Sequence, residues 1–163
     1  GYTVPDVAKY AFLGPLVGAG ARVLFSPLTD RMGGAIWTFI AGIGLLGSIA
    51  YTIQYVTPDV SAGATALNSE FHHFLYGMVA IFFFAGVGNA STFKQMPMIF
   101  EPRQAGGVIG WVSAIAAFGP FIFGVCLASI APANFLTGLA TFVVLCIAIT
   151  WFRYAKPGAA KKS

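Results

Sequence analysis

The sequence predicts an all-α integral membrane bundle of five transmembrane helices, and three observations carry that expectation. Of its 163 residues, 58% are hydrophobic and 9% charged, against about 25% charged in a typical soluble domain. Nine basic and five acidic side chains cannot clothe the surface of a 17.1 kDa globule. Mean hydropathy is +0.81, and the apolar runs are apolar all round, without the alternation over about ten residues that a transmembrane β-strand shows. This composition argues against a soluble enzyme, a nucleic-acid binder and a disordered segment. The isoelectric point near 9.3 reflects a net charge of only +4, with Arg153, Lys156, Lys161 and Lys162 gathered at the C-terminal end.

A helix crosses the hydrocarbon core, about 30 Å thick, with about 20 largely apolar residues. Five stretches qualify, at about 9–28, 35–56, 71–92, 107–130 and 135–154, so that 1–154 reads as a membrane domain and 155–163 as a basic tail. They are parted by TDRMGG, by TPDVSAGATALNSE, by the stretch around FKQMPMIFEPRQAG and by the tight turn APAN. Arg31 falls in the first connection, Lys94 and Arg103 in the third, and the second and fourth carry no basic residue, only Asp59 and Glu70. Cytoplasmic loops collect Lys and Arg, so the first and third connections and the C-terminus are expected in the cytoplasm and the N-terminus outside. Trp37, Trp111 and Trp151 then lie near cytoplasmic boundaries, as belt residues do.

In the first span, Arg22 lies deep in the apolar run YAFLGPLVGAGARVLFSPL. A centrally placed Arg costs about 2.5–3.5 kcal/mol on insertion scales, and its compensation is either a buried acid or an anion in an aqueous cavity. Asp6, Asp30, Asp59, Glu70 and Glu101 all fall in or beside connections, which favours the anion. Gly14, Gly18 and Ala21 flank Arg22 at helical spacings; such a stripe either lets another backbone approach or keeps space open beside the guanidinium. The second span carries no group that calls for chemistry. The third ends GVGNASTFK, where Asn89, Ser91 and Thr92 are costly in an apolar setting unless hydrogen-bonded. Ser and Thr can bond the preceding turn; Asn89 does so less completely and is a neutral donor suited to an anion pocket. Phe93 shares its face at i+4, as core or as a flat wall. In the fourth span Gly110, Ser113, Ala114 and Ala117, extended by Gly106, form one small-residue face, a groove for another helix or a lining that offers Ser113 to a small ligand. No cofactor or metal is implied. Cys126 and Cys146 lie singly in apolar runs as packing residues, and His72 and His73, adjacent and so about 100° apart on a helix, cannot ligate one ion together.

SPLTDRMGG resembles the loop motif of the major facilitator superfamily, with Asp30, Arg31 and Gly33 as expected and Ser26 where Gly is usual. GARVLFSPLTDRMGG, GVGNASTFKQMPMIF and GWVSAIAAFGPFI together resemble, in order, the nitrate/nitrite porters of the NarK type within that superfamily. The resemblance covers essentially all five spans and implies that they are helices eight to twelve of a twelve-helix transporter. The opening at Gly1, without a signal peptide, agrees with a C-terminal part of something longer. The resemblance further implies that Arg22 is one of two substrate-binding arginines, the other in the absent N-terminal half. It implies that Asn89 and Phe93 line the pocket, that Gly110, Ser113 and Ala114 belong to a nitrate signature, and that Asp30, Arg31, Gly33, Gly106 and Gly107 serve gating or structure. Lys94 receives no role. Asp30 is expected to face the positive N-terminus of the fourth span, near Gly106 and Gly107.

The implied function is transport of nitrate or nitrite across the inner membrane by alternating access, as a secondary transporter and not an enzyme. The partners are those anions, the lipid bilayer and the missing half. Antiport of nitrate for nitrite and symport with a proton both fit. The alternatives are a facilitator for another small anion and a non-transporting membrane scaffold.

Overall fold

The computed structural model describes residues 9–57 and 64–158. Asp6, Asp59, Lys161 and Lys162 lie outside the described residues. The elements, in order, are α1 (Leu13–Met32), α2 (Gly34–Ile53), α3 (Ala64–Ile99), α4 (Pro102–Ala117), α5 (Gly119–Ser129), α6 (Pro132–Thr150) and a π-helical turn (Trp151–Ala155). Among the described residues there is no strand, and the chain is an all-helical membrane bundle.

Among the described residues, four helical segments are long and apolar enough to cross a membrane: Gly34–Ile53, Ser69–Ile99, Pro102–Ser129 and Pro132–Ala155. The first expected span corresponds to α1, whose 20 residues are long enough to cross; Arg22, Asp30 and Arg31 dilute its apolar character. The third span, expected at 71–92, is part of a helix of 36 residues, about 54 Å at 1.5 Å per residue. The helix therefore runs past both edges of a hydrocarbon core and takes in much of the two polar connections. Only Pro97 interrupts the donors of its last turn, and Phe100 N–H still bonds Met96 O at 3.1 Å. The fourth span, expected as one helix over 107–130, is two. Pro120 has no N–H to offer and crowds the preceding turn, so α4 stops at Ala117 and α5 begins at Gly119.

Small residues bring the helices together, since lipid gives little hydrophobic drive for helix association. α1 and α3 run parallel with α2 antiparallel beside them. Gly34 meets Ser91 and Gln95, Gly44 meets Phe84, and Gly77 meets Thr52. The inner half of this layer is knit by Ala21, Ala41 and Val87, with Phe25, Trp37 and Phe83 packed around them. Phe25 makes edge-to-face contacts with Trp37 at 5.6 Å and Phe83 at 5.4 Å. Thr38 Oγ1 and Ser91 Oγ join α2 to α3 at 2.9 Å. Ile49, Leu136 and Val143 join α2 to α6. α4 and α5 stand at the edge, packed on α3 and α6, and Trp111, Ile115, Phe118 and Phe121 are exposed along them.

The turn from α1 to α2 is a single residue. Gly33 has φ of 90°, a left-handed conformation that strains a side chain, and its N–H bonds Thr29 O at 3.1 Å. The loop motif thus has a backbone reason for glycine at this position.

Candidate functional site

Arg22 sits at the midpoint of α1. Its neighbour Ala21 is 3% exposed and faces α3. Gly18 and Gly86 come so close that a Cβ on Gly86 would strike the Gly18 carbonyl oxygen, while one on Gly14 would meet the Phe82 ring at 2.5 Å. The Gly14–Gly18–Ala21 stripe is therefore the seam that seats α1 on α3, and of its two expected roles close approach is the one observed. Arg22, about 100° further round the helix, emerges at the edge of that seam. Its Cζ lies 5.2 Å from the centroid of the Phe93 ring, within the range of a cation–π contact. The parallel run of α1 and α3 makes this pairing possible, because both helices advance in the same direction from the Gly18–Gly86 contact and the long Arg22 side chain spans the remaining offset to Phe93.

Asn89 stands one turn before Phe93, and its Oδ1 is buried without a hydrogen-bond partner. An anion beside it needs the donor end of the amide, which a half-turn of the terminal torsion supplies with no backbone movement. Ser91 and Thr92 spend their hydroxyl protons locally: both bond Gly88 O, at 3.0 and 2.7 Å. Among the described residues, Arg22 has no carboxylate partner. Arg22 and Phe93 thus meet across α1 and α3, and Asn89 lies one turn from Phe93 along α3.

Gly110, Ser113 and Ala114 are not brought to that face. α4 does not touch α1, all three residues are exposed, and Ser113 Oγ donates to Ile109 O at 2.7 Å. A Cβ on Gly106, Gly107 or Gly110 would meet nothing within 4 Å, so among the described residues the α4 stripe is unpartnered.

Asp30 does not face the start of α4, contrary to the expectation. It is held by Lys94, whose Nζ lies 2.8 Å from Oδ1 and 2.9 Å from Oδ2. α4 begins at Pro102, which carries Gly106 and Gly107 into its interior and removes the helix terminus that Asp30 was to meet. Lys94 is the residue that sequence reasoning passed over. The signal for it was the single Lys or Arg of the third span's end, five residues beyond Asn89 on a helix parallel to the one bearing Asp30. Arg31 is exposed beside the pair. At the opposite end, His73 Nδ1 is 2.6 Å from Tyr51 OH, and the His73 ring stacks on Tyr55 at 4.9 Å.

The chain is 49% identical over 162 residues to a probable nitrate/nitrite antiporter NarK2 of Thermus thermophilus, covering 96% of this chain and 35% of that protein. It is 28% identical over 181 residues to the nitrate/nitrite transporter NarU of Escherichia coli (strain K12), covering 93% of this chain and 37% of that protein. NarU of Salmonella typhimurium matches with the same identity and coverage. The chain is a homologue of the NarK-type nitrate/nitrite porters. These are major facilitator superfamily transporters, and with its apolar helices the chain is a multi-pass membrane protein. It spans about a third of the length of these relatives. No protein-family model matches it, and no solved structure does so significantly.

Proposed function

We propose that this chain is the C-terminal part of a transporter that moves nitrate and nitrite across the inner membrane by alternating access, with the C-terminus in the cytoplasm. The carrying observation is Arg22 at mid-helix, over Phe93 and without a carboxylate, in a chain whose relatives are named for these anions. Nitrate and nitrite are small, planar, monovalent anions. A guanidinium fork grips two of their oxygens in one plane, an aromatic ring gives a flat wall, and the Asn89 amide adds a neutral donor. Arg22 supplies the charge, Phe93 orients the guanidinium, and Asn89 selects orientation. Gly110, Ser113 and Ala114 would complete the pocket from α4 once the remaining helices of the transporter draw that face inward. Sites of this kind lie at the midplane between two halves, and rocking of one half on the other exposes them alternately. A second arginine from the other half would repel Arg22 when the site is empty and favour exchange of one anion for another.

The test is anion binding and flux in the full-length transporter. Arg22→Lys keeps the charge and loses the fork. One charge-assisted hydrogen bond is worth about 1.5–3 kcal/mol, so nitrate affinity should fall about 10- to 150-fold. Arg22→Ala should abolish uptake while folded yield holds, because removing an intramembrane charge favours insertion. Near-normal flux with Ala, or collapse of the yield, would take Arg22 out of the site.

A further inference from the structure

α6 carries an exposed apolar track that ends on two cations. Phe142, Leu145, Ile149 and Phe152 are 62%, 58%, 62% and 66% exposed, and their spacing of three to four residues sets them along one face. The opposite face, with Leu136, Val143 and Ile147, packs on α2. From Phe142 to Phe152 the track rises about 15 Å, half the thickness of a hydrocarbon core of about 30 Å. At its foot the helix widens. Lys156 N–H bonds Trp151 O at 3.0 Å in the π-helical turn, and Trp151 is clamped against Phe39 of α2 with ring centroids 4.8 Å apart. The clamp fixes the turn to the bundle and leaves Phe152 outward with Lys156 Nζ 5.9 Å from its ring centroid. Arg153 is exposed and has no partner among the described residues.

We propose that this track and its two cations seat one anionic phospholipid, with an acyl chain along Phe142–Leu145–Ile149–Phe152 and the phosphate diester on Arg153 and Lys156. The apolar length matches one leaflet, and the charges stand where α6 ends, at the level of the headgroups. Basic residues at such a boundary attract anionic lipid, and long cationic side chains reach the headgroups along an apolar stem. An acidic peptide in water would satisfy the cations and leave the track bare. Another apolar helix is a poorer occupant, because it would cover the track and leave Arg153 and Lys156 without an anion.

The experiment is native mass spectrometry of the intact, full-length transporter in detergent, offered equal amounts of phosphatidylglycerol and phosphatidylcholine. The native protein should retain phosphatidylglycerol in preference. Arg153→Gln with Lys156→Gln should weaken that preference about 30-fold, Arg153→Gln alone about fivefold, and Arg31→Gln should leave it unchanged. Phe152→Ser should reduce retention of both lipids. Equal retention of the two lipids by the native protein overturns the proposal, as does an unchanged preference in either Arg153 variant. Displacement of phosphatidylglycerol by excess inorganic phosphate would make this a site for the free anion, and retention of neither lipid would mean that another helix covers the track; each refutes the assignment.

Discussion

Replacing Gly86 by Ala should disable the candidate site without touching it. The added Cβ would fall on the Gly18 carbonyl oxygen and 3.2 Å from the Ala21 Cβ. Close carbon–oxygen contacts between helices run at about 3.3–3.6 Å, and neither obstacle can swing away, since one is backbone and the other the first atom of a side chain. α1 must therefore retreat from α3 by about 1 Å. Overpacking of this kind costs about 1–3 kcal/mol. The same retreat carries Arg22 outward, and its guanidinium already stands 5.2 Å from the Phe93 centroid, close to the limit of about 6 Å for a cation–π contact. Thermal unfolding of the purified transporter and nitrate affinity by titration should both decline. Gly88→Ala is the control, because its Cβ meets only Ala41 Cβ at 3.5 Å, an ordinary contact; it should be neutral or mildly stabilising through helix propensity. Native stability and native nitrate affinity in Gly86→Ala would refute the claim that the glycine seam sets the position of Arg22.

The Asp30–Lys94 pair is 53% and 42% exposed at its two side chains, so Asp30→Asn should cost no more than about 1 kcal/mol of stability, and less at high salt; a large, salt-insensitive loss would refute an exposed pair. Phe93→Leu should keep the wall apolar and remove the ring face that meets Arg22, lowering nitrate affinity severalfold at about 0.5–2 kcal/mol for such a contact. Unchanged affinity in that variant would make Phe93 a packing residue. For topology, Thr57→Cys and Glu101→Cys, each in a background with Cys126 and Cys146 replaced by Ala, should be labelled by an impermeant thiol reagent from opposite faces of the membrane. Labelling from one face would reverse the orientation argument.

Much of the architecture was legible in the sequence because the membrane is a severe solvent. A chain with so few charges can satisfy its backbone in lipid only by helices or a closed barrel, and the absence of alternation leaves helices. Arg22 was legible for the same reason: a charge at mid-span stands out against the apolar residues around it. Asn89 and Phe93 followed from helical spacing, which assigns residues to faces whatever the partner is. What spacing cannot assign is which neighbour covers a face. The Gly14–Gly18–Ala21 stripe had two roles open until α3 was seen to press Gly86 against it, and Lys94 had none until the parallel pairing of α1 and α3 carried it to Asp30. Helix ends were legible only in part, since apolarity marks where a helix enters lipid and says little of where it stops; α3 continues into polar sequence, and α4 breaks at a proline inside lipophilic sequence. Gly110, Ser113 and Ala114 stay apart from Arg22, because among the described residues α4 touches only α3 and α5. Solvent preference and helical period act residue by residue and are written in the sequence, whereas the meeting of faces depends on how whole helices pack, and only the tertiary structure decided it.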